Sequence, residues 1–313
     1  MCCGKPMEEV VPNAEDESAE KLVCDLKPLD LDATENYVVC KCNQVSYFDI
    51  LDSLQKHSSI ENLLDVFDDI SIIKKYLALH HYEESNHNVV NIMEWLELYP
   101  LYEYHEDDYM ILIGTYKDEY FMYMPLCQKG KELEVINIGK HLMDACDIPF
   151  TMSCFEEEIM QMVKGEYPEA RIIDVRDGYD YVYELDKLRS FSGKKLQKKR
   201  NHLNNFMKTY EGRYHYETIN QSNLDEVIAY VETLAIDDET LAYEKLGIIK
   251  VLKHLDILEA RGGLIKIDGK VEAFLIASIL SETMVQENIE KSNHEINGLA
   301  QMLIKEFFSH EYQ

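Results

Sequence analysis

The stretch of sequence that decides the fold is RGGLIKIDGKVEAFLIASIL, residues 261–280. Two apolar runs, residues 264–267 and 271–277, flank the dipeptide Asp268-Gly269. A two-residue type I′ turn needs positive φ at both central positions, and an Asp-Gly pair meets that requirement. The stretch therefore predicts an antiparallel β-hairpin.

The elements around this hairpin follow an order that occurs in both halves of the chain. After the hairpin, the sequence predicts a strand from Met284 to Ile289 and a helix from Gly298 to Phe308. In the first half, Tyr109 to Thr115 and Tyr120 to Pro125 predict another hairpin, which a helix from Glu132 to Cys146 follows. The other predicted elements are helices from Leu224 to Leu234 and from Leu241 to Leu258, and a strand-helix-strand stretch that ends at Tyr183. We therefore predict an α/β fold with mixed α+β sheets in two similar units.

Composition limits the classes of function. The chain has 313 residues, enough for roughly two domains. Its net charge of −28 disfavours non-specific binding to nucleic acid, because the field repels phosphates. No apolar run approaches the roughly 20 residues that cross a bilayer, and the first residues lack the apolar stretch of a secretory signal. We expect a cytoplasmic protein without stable membrane insertion.

A basic island interrupts this acidic chain. Residues 187–213 contain nine Lys or Arg and one acid, Glu211. Ser192 is expected to cap a helix whose apolar residues, among them Leu203 and Phe206, lie on one face. The cations of the opposite face are Lys194, Lys195, Lys198, Lys199 and Arg200. Two interpretations stay open: a solvated face resting on acidic neighbours, which composition alone favours, or a clamp for a phosphate-bearing donor or lipid headgroup.

The motifs of this region and of the C-terminal part resemble a known family. The motifs are Asp180-Tyr181-Val182-Tyr183, Ser192-Gly193-Lys194-Lys195, Lys198-Lys199-Arg200-Asn201-His202-Leu203-Asn204, Asp268-Gly269-Lys270 and Ile289-Glu290-Lys291. Together they resemble an uncharacterised bacterial family that is grouped with the phosphatidylglycerol lysyltransferase C-terminal domain, over about residue 68 to the end. The resemblance implies tandem domains of the Gcn5-related N-acetyltransferase-like fold. It also implies transfer of an aminoacyl group from charged tRNA to a lipid or a peptidoglycan precursor.

Two adjacent residues are the candidate catalytic groups under this resemblance. Glu290 would accept a proton from an attacking amine or hydroxyl, and Lys291 would stabilise an oxyanion. Alternate residues of a strand point to opposite faces, so we expect only one of the two to face the cleft. A surface ion pair explains the same two residues equally well.

The acyl-donor turn is predicted at residues 293–300, where Asn297 and Gly298 are the candidate donor-binding residues. A coenzyme A pyrophosphate needs backbone N–H groups that it can approach closely, and glycines permit that approach. Gly298 is the only glycine of the stretch. The turn therefore favours aminoacyl-tRNA over acyl-coenzyme A as the co-substrate.

A cysteine pair marks the N-terminal part. Cys40 and Cys42, with the residues that follow, resemble the first half of a bacterioferritin-associated-ferredoxin-like [2Fe-2S] module. Such a cluster needs four thiolates, and residues 72–77, where the second pair is expected, contain no cysteine. We interpret residues 37–67 as a remnant helical module. The alternative is a cluster or metal shared between two chains.

These observations divide the chain into four predicted parts. They are a flexible acidic leader (1–36), the cysteine module (37–67), a first acetyltransferase-like domain (68–186) and a basic linker helix with a second such domain (187–313). The family pattern continues beyond the last helix of this chain, so we expect an incomplete second domain. The predicted function is aminoacyl-type transfer to a lipid or other amine or hydroxyl acceptor, or an inactive descendant of such an enzyme. The predicted partners are charged tRNA and an anionic lipid headgroup, and the alternative is a non-catalytic binding or iron-sulfur-linked regulatory protein.

Overall fold

The structure, a computed structural model, describes residues 38–40, 45–46, 66–117 and 119–312. The acidic leader and Cys42 lie outside these ranges. Strand β1 (Val38–Cys40) pairs antiparallel with strand β2 (Val45–Ser46). Most of the predicted cysteine module, residues 41–44 and 47–65 with Cys42, lies outside the described residues, so the structure does not test it.

The first half is a four-stranded antiparallel sheet with helices. Its strands are β3 (Leu101–Glu106), β4 (Tyr109–Tyr116), β5 (Glu119–Met122) and β6 (Leu126–Cys127), and its helices are α1 (Val66–Leu77), α2 (Val89–Trp95), α3 (Glu132–Ala145) and α4 (Glu157–Glu166). Strand β4 pairs with each of the other three. Its apolar residues Met110, Ile111 and Leu112 are buried, which gives this half a core of its own.

The second half is another antiparallel sheet. Its strands are β7 (Tyr214–Thr218), β8 (Arg261–Ile267), β9 (Lys270–Ile279) and β10 (Val285–Ser292), and its helices are α5 (Leu185–Ser190), α6 (Gln197–Thr209), α7 (Leu224–Thr233), α8 (Glu239–Lys253), α9 (Leu255–Leu258) and α10 (Leu299–His310). The strand order is β10-β9-β8-β7, so β10 is an edge strand. Asp268 and Gly269 have φ of 50° and 82°, and the predicted hairpin is confirmed.

The two faces of this second sheet pack against different helices. Leu275 and Ala277 of β9 pack with residues of α6 and α10. Phe274 and Ile276, on the opposite face, pack with residues of α7 and α8. Val90 of α2 belongs to this second cluster, so a helix of the first half completes the core of the second.

Helices α2 and α8 approach each other at a glycine. A Cβ atom on Gly247 would lie 1.7 Å from the backbone oxygen of Glu94, a distance that no side chain tolerates. Glycine at this position therefore allows the two backbones to touch. Next to this contact, Lys250 of α8 forms an ion pair with Glu97 at 2.6 Å.

Several predicted elements differ from the structure. Residues 167–184 form a 3₁₀ turn (Arg176–Gly178) and extended chain rather than a strand, because no strand of the described sheets pairs with them. Tyr181 and Val182 are consequently 81% and 72% exposed. The helix predicted from Leu241 to Leu258 is divided at His254, and strands β3 and β7 were not predicted.

The predicted cap of the basic helix is also wrong. Helix α6 begins at Gln197, its N-cap residue is Leu196, and no side chain caps it. Ser192 lies instead in the turn before the helix. The first strand of the predicted strand-helix-strand stretch is also absent, since Met152 forms only an isolated bridge to Met122. The α and β elements predicted for both halves are otherwise present, and the tandem acetyltransferase-like relation between the halves stays a prediction. Within the described ranges, none of the helices has the length and apolar character to cross a bilayer.

Replacing Gly247 with Ala is expected to destabilise the protein by about 1–3 kcal/mol, because α2 and α8 must move apart. Urea unfolding followed by circular dichroism measures the change. The matched control is Gly165→Ala in α4, where a new Cβ meets no atom within 4 Å. That variant should gain up to about 1 kcal/mol, since alanine favours a helix over glycine. Equal stability of the Gly247 variant and the wild type would contradict the backbone contact.

Candidate functional site

The basic helix α6 is anchored by its apolar face and by an arginine. Leu203 and Phe206 are buried against the second sheet. Arg200 points back over the preceding turn, where its Nη1 donates hydrogen bonds to the carbonyls of Phe191 at 2.6 Å and Gly193 at 3.3 Å. Phe191 is fully buried and has a φ of 48°. The guanidinium of Arg200 therefore holds the turn that precedes α6.

The predicted cations do not gather at a single point. Lys194, Lys195 and Lys198 are exposed, whereas Lys199 is partly buried. The ammonium of Lys199 lies over the ring of Tyr183, 5.3 Å from its centroid. Its charge also acts on two carboxyl groups of β10. Of the five predicted anion-binding cations, Lys199 is thus the one that the structure places beside β10.

A β-bulge in β10 determines which side chains face α6. The pairing register places Glu287 opposite Ala277 and Glu290 opposite Leu275, and it shifts between these pairs at Asn288. In a regular strand, residues three apart point to opposite faces. Because the bulge adds one residue, the side chains of both acids point to the same face of the sheet. Glu287 and Glu290 therefore share the face of Ala277 and Leu275, on which α6 and α10 pack.

These two acids form a hydrogen-bonded carboxyl pair. Their side chains share a hydrogen bond. Desolvation raises the pKa of Glu287, and the negative charge of Glu290 raises it further. Desolvation also raises the pKa of Glu290, while hydrogen bonds and the charge of Lys199 oppose the rise. Two like charges in contact favour a state in which the pair keeps one proton.

The carboxyl pair remains accessible. Glu287 is exposed to solvent, and Glu290 is partly buried. The charge of Lys199 acts on Glu290 from α6. We call the space bordered by Lys199, Glu287 and Glu290 the α6–β10 cleft.

Lys291 points away from this cleft. Its Nζ donates a hydrogen bond to Glu244 Oε1 of α8 at 2.7 Å. Its strand partner is Phe274, which belongs to the opposite face of the sheet. Glu290 and Lys291 thus face opposite sides, as the alternation along a strand predicts. The two candidate catalytic residues are not brought together in one cleft.

The predicted donor turn packs directly on α6. Gly298 has a φ of 86°, and a Cβ on it would lie 2.1 Å from the backbone oxygen of His202. Asn297 Oδ1 lies 2.5 Å from His202 Nδ1. His202 follows Lys199 by three residues, so both lie on one side of α6. The close approach of two backbones explains the glycine, and the turn that carries Asn297 and Gly298 contacts α6 at His202.

Glu287, Glu94 and Glu244 were not among the residues that the sequence predicted for the site. Glu287 precedes Glu290 by three residues, a spacing that a regular strand would place on the opposite face. The bulge depends on pairing with β9, and no local residue pattern marks it. Burial of Glu94 depends on α8, which lies about 150 residues further along the chain.

The fold is a mixed α+β fold, consistent with an acyltransferase-like domain. Two antiparallel sheets carry helices on their faces, and a charged cleft lies at an edge strand. The chain belongs to the family of the phosphatidylglycerol lysyltransferase C-terminal domain, whose model matches residues 78–313. The match does not include the predicted cysteine module.

The chain is also similar to individual proteins. An uncharacterised protein of Mycoplasmoides gallisepticum is 33% identical over 98 residues, which cover 31% of this chain and 31% of that protein. The chain thus spans about a third of the length of that relative. A conserved protein of unknown function from Bacteroides thetaiotaomicron has a similar structure, with a TM-score of 0.69, 22% identity and coverage of 77% of this chain and 84% of that chain. The C-terminal domain of a protein from Agrobacterium fabrum, provisionally named a lysylphosphatidylglycerol synthetase, gives a TM-score of 0.47 and 11% identity, covering 76% and 73%.

Replacing Arg200 with Ala is expected to lower the free energy of unfolding by about 1–3 kcal/mol, because two carbonyls of the turn lose a charged donor. Replacing the exposed Lys198 with Ala should change the free energy of unfolding by less than about 0.5 kcal/mol. Urea titration of both variants distinguishes the two roles. Equal unfolding energies for the two variants would show that Arg200 does not hold the turn.

Proposed function

We propose that the chain is an aminoacyl-type acyltransferase whose reaction takes place in the α6–β10 cleft. The acceptor is an amine or hydroxyl group carried by a lipid or a comparable molecule. The observation that carries this proposal is the carboxyl pair of Glu287 and Glu290 beside the ammonium of Lys199. Family membership supports the class of reaction, and the cleft supplies groups suited to it.

The carboxyl pair is suited to act as the general base. A hydroxyl or amine nucleophile must lose a proton as its oxygen or nitrogen bonds to the acyl carbon. Glu290, in the form without its proton, accepts that proton, and a base whose pKa is raised towards neutrality does so most effectively. The bond between the acyl carbon and the donor oxygen then breaks, and that oxygen takes up a proton.

Lys199 is suited to bind an anionic group of the donor or of the acceptor. Its ammonium is partly buried beside Tyr183 and does not project freely into solvent. A phosphate bound there would lie next to the carboxyl pair. The exposed Lys194, Lys195 and Lys198 add positive potential at the approach to the cleft, which attracts a polyanion even without direct contact.

The donor turn favours an aminoacyl ester over coenzyme A. A pyrophosphate bound at the start of α10 needs open space beside the backbone. The carbonyl of His202 occupies the space beside Gly298. This contact, together with the single glycine of the turn, supports aminoacyl-tRNA as the donor.

Transfer can be measured with tRNA charged with radiolabelled amino acids, incubated with the full chain and with vesicles that contain phosphatidylglycerol. Labelled lipid is the expected product. Glu290→Gln should lower the transfer rate by about 100-fold or more, since it removes the general base. Lys199→Ala should weaken donor or acceptor binding. The control is Lys208→Ala, an exposed cation on the same helix.

Two results would contradict this proposal. Transfer that is unchanged in the Glu290 variant would remove the base from the mechanism. Binding of charged tRNA or of the vesicles without any transfer would favour the alternative, a non-catalytic binding protein that descends from an enzyme.

The carboxyl pair also predicts a shift in pH dependence. In the wild type, the rate should rise with pH through the raised pKa of the pair, because the base must lose its proton. Glu287→Ala removes the hydrogen bond by which Glu287 lowers the pKa of Glu290, so that pKa increases and the rise in rate moves to higher pH. A pH–rate profile of both proteins measures the shift. An identical profile would mean that the two carboxyls do not interact in the active protein.

A further inference from the structure

An exposed apolar segment connects the two halves of the chain. Of the twelve large apolar side chains that are exposed among the described residues, seven lie within residues 172–183. They are Ile172, Ile173, Val175, Tyr179, Tyr181, Val182 and Tyr183. Single apolar side chains scattered over a surface are ordinary, whereas a concentration of them marks an interaction surface. The transfer reaction proposed above uses only Tyr183 of this group.

Hydrogen bonds attach this segment to the rest of the protein. Asp180 Oδ2 accepts a hydrogen bond from the backbone N–H of Ser85 at 3.1 Å. The carbonyl of Ser85 in turn accepts one from Gln286 Nε2 of β10, also at 3.1 Å. Within the segment, the hydroxyl of Tyr179 donates to Asp174 at 2.7 Å across the 3₁₀ turn. The exposed side chains are therefore presented by a chain that is held next to the edge strand β10.

Cations lie beside the same segment. Residues 171–200 contain nine Lys or Arg and five Asp or Glu, a local net charge of +4 in a chain whose net charge is −28. Two of these acids form ion pairs with cations three residues further along the chain. Lys199 lies over the ring of Tyr183, so the start of α6 borders the segment. There, Lys194, Lys195 and Lys198 are exposed and form no ion pair with any residue that the structure describes.

We propose that the exposed apolar side chains of residues 172–183, together with Lys194, Lys195 and Lys198, form a docking surface for an anionic lipid bilayer, which we call the bilayer surface. The apolar side chains enter the boundary between the headgroups and the acyl chains. Tyrosine rings suit that boundary because they combine an apolar ring with a polar hydroxyl. The three ammonium groups bind lipid phosphates. Docking of this kind takes place in the plane of the interface and needs no spanning helix.

The local charge, rather than the net charge of the chain, governs the approach to a bilayer. Interactions between exposed charges are largely screened beyond about 8–10 Å at physiological salt. The acidic residues elsewhere on the surface therefore contribute little to the interaction, and the local charge of +4 complements an anionic headgroup layer.

Other macromolecules match this surface less well. Surfaces for single-stranded nucleic acid combine cations with aromatic rings on which bases stack. Four of the seven exposed side chains are aliphatic and have no ring to stack: Ile172, Ile173, Val175 and Val182. A second copy of the chain would meet the surface with its own lysines in a symmetric dimer, and like charges repel. An anionic bilayer offers both an apolar phase for the aliphatic groups and phosphates for the cations.

The bilayer surface also adjoins the α6–β10 cleft. Lys199, which borders that cleft, lies 5.3 Å from the centroid of the Tyr183 ring. A headgroup in a docked bilayer would consequently lie close to the carboxyl pair. Delivery of a lipid acceptor to the cleft rests on the proposed function, whereas docking on the bilayer does not.

Sedimentation of the full chain with sucrose-loaded vesicles measures docking. Vesicles of phosphatidylcholine with about one third phosphatidylserine provide the anionic surface, and phosphatidylcholine alone provides the neutral one. Charged tRNA is omitted, so that binding is measured apart from transfer. We expect the protein to sediment with the anionic vesicles and not with the neutral ones, and the bound fraction to fall as salt increases.

The charged and the apolar parts of the surface are tested by separate variants. The triple variant Lys194→Ala, Lys195→Ala, Lys198→Ala should bind anionic vesicles at least about tenfold more weakly. Its matched control removes the same charge from exposed positions elsewhere and should bind like the wild type: Lys208→Ala, Lys253→Ala, Lys270→Ala. The double variant Tyr181→Ser, Val182→Ser changes no charge and should also lose about tenfold, because apolar area no longer enters the bilayer. Its control is the exposed Ile236→Ser.

Fluorescence shows which part of the protein touches the bilayer. Tyr181→Trp places an indole in the segment, and vesicles with brominated acyl chains should quench its emission. The control is Tyr102→Trp on β3, which should not be quenched although its position is also exposed. Trp95 is common to both proteins, so the difference between them reports the new indole.

Three outcomes would overturn the inference: no sedimentation with anionic vesicles, binding that neither the triple nor the double variant weakens, or equal quenching of the two indoles. Self-association or tRNA binding that the double variant abolishes, in a protein that does not bind vesicles, would also overturn it. The surface would then belong to a second copy or to RNA.

A soluble acceptor separates failure of the bilayer surface from failure of the transferase. Tyr181→Ser, Val182→Ser should transfer to short-chain phosphatidylglycerol, dispersed below its micelle concentration, at the wild-type rate and to vesicle lipid more slowly. Vesicle binding without any transfer would leave the bilayer surface in place and remove the enzyme. Transfer to the short-chain lipid without vesicle binding would do the reverse.

Discussion

The contact between the backbones of α2 and α8 is the constraint on which the remaining structure depends. Helix α2 belongs to the first half of the chain, yet Val90 packs in the core of the second. Gly247 makes that packing feasible because any side chain there would push the helices apart. Burial of Glu94 follows from this contact. The packing of each half therefore depends on the other half.

Strand β10 separates two different electrostatic environments. On one face, the carboxyl pair of Glu287 and Glu290 lies beside Lys199, where charge can change with pH. On the other face, Lys291 is held by Glu244. The bulge at Asn288 is what aligns the two acids of the first face. Because of the bulge at Asn288, the α6–β10 cleft contains two carboxyl groups instead of one.

Local patterns predicted much of the fold. Asp268-Gly269 identified its hairpin because the turn geometry depends on two residues alone. Strand alternation indicated correctly that Glu290 and Lys291 face opposite sides. Features that depend on distant partners were not predictable: the bulge that adds Glu287, the turn that Arg200 holds, and the enclosure of Glu94. The extended chain at Tyr181 shows the same limit, since an apolar run becomes a strand only where another strand is available to pair with it.

The irregularity of β10 has a consequence for how the protein behaves at high concentration. An edge strand offers unpaired backbone N–H and C=O groups to neighbouring molecules. Long, regular edge strands therefore promote assembly into fibres. Here the bulge interrupts the even spacing of those groups, and charged side chains occupy the same strand. A second copy cannot continue the sheet in register without burying those charges. The same irregular strand that shapes the cleft therefore also helps to keep the protein from aggregating.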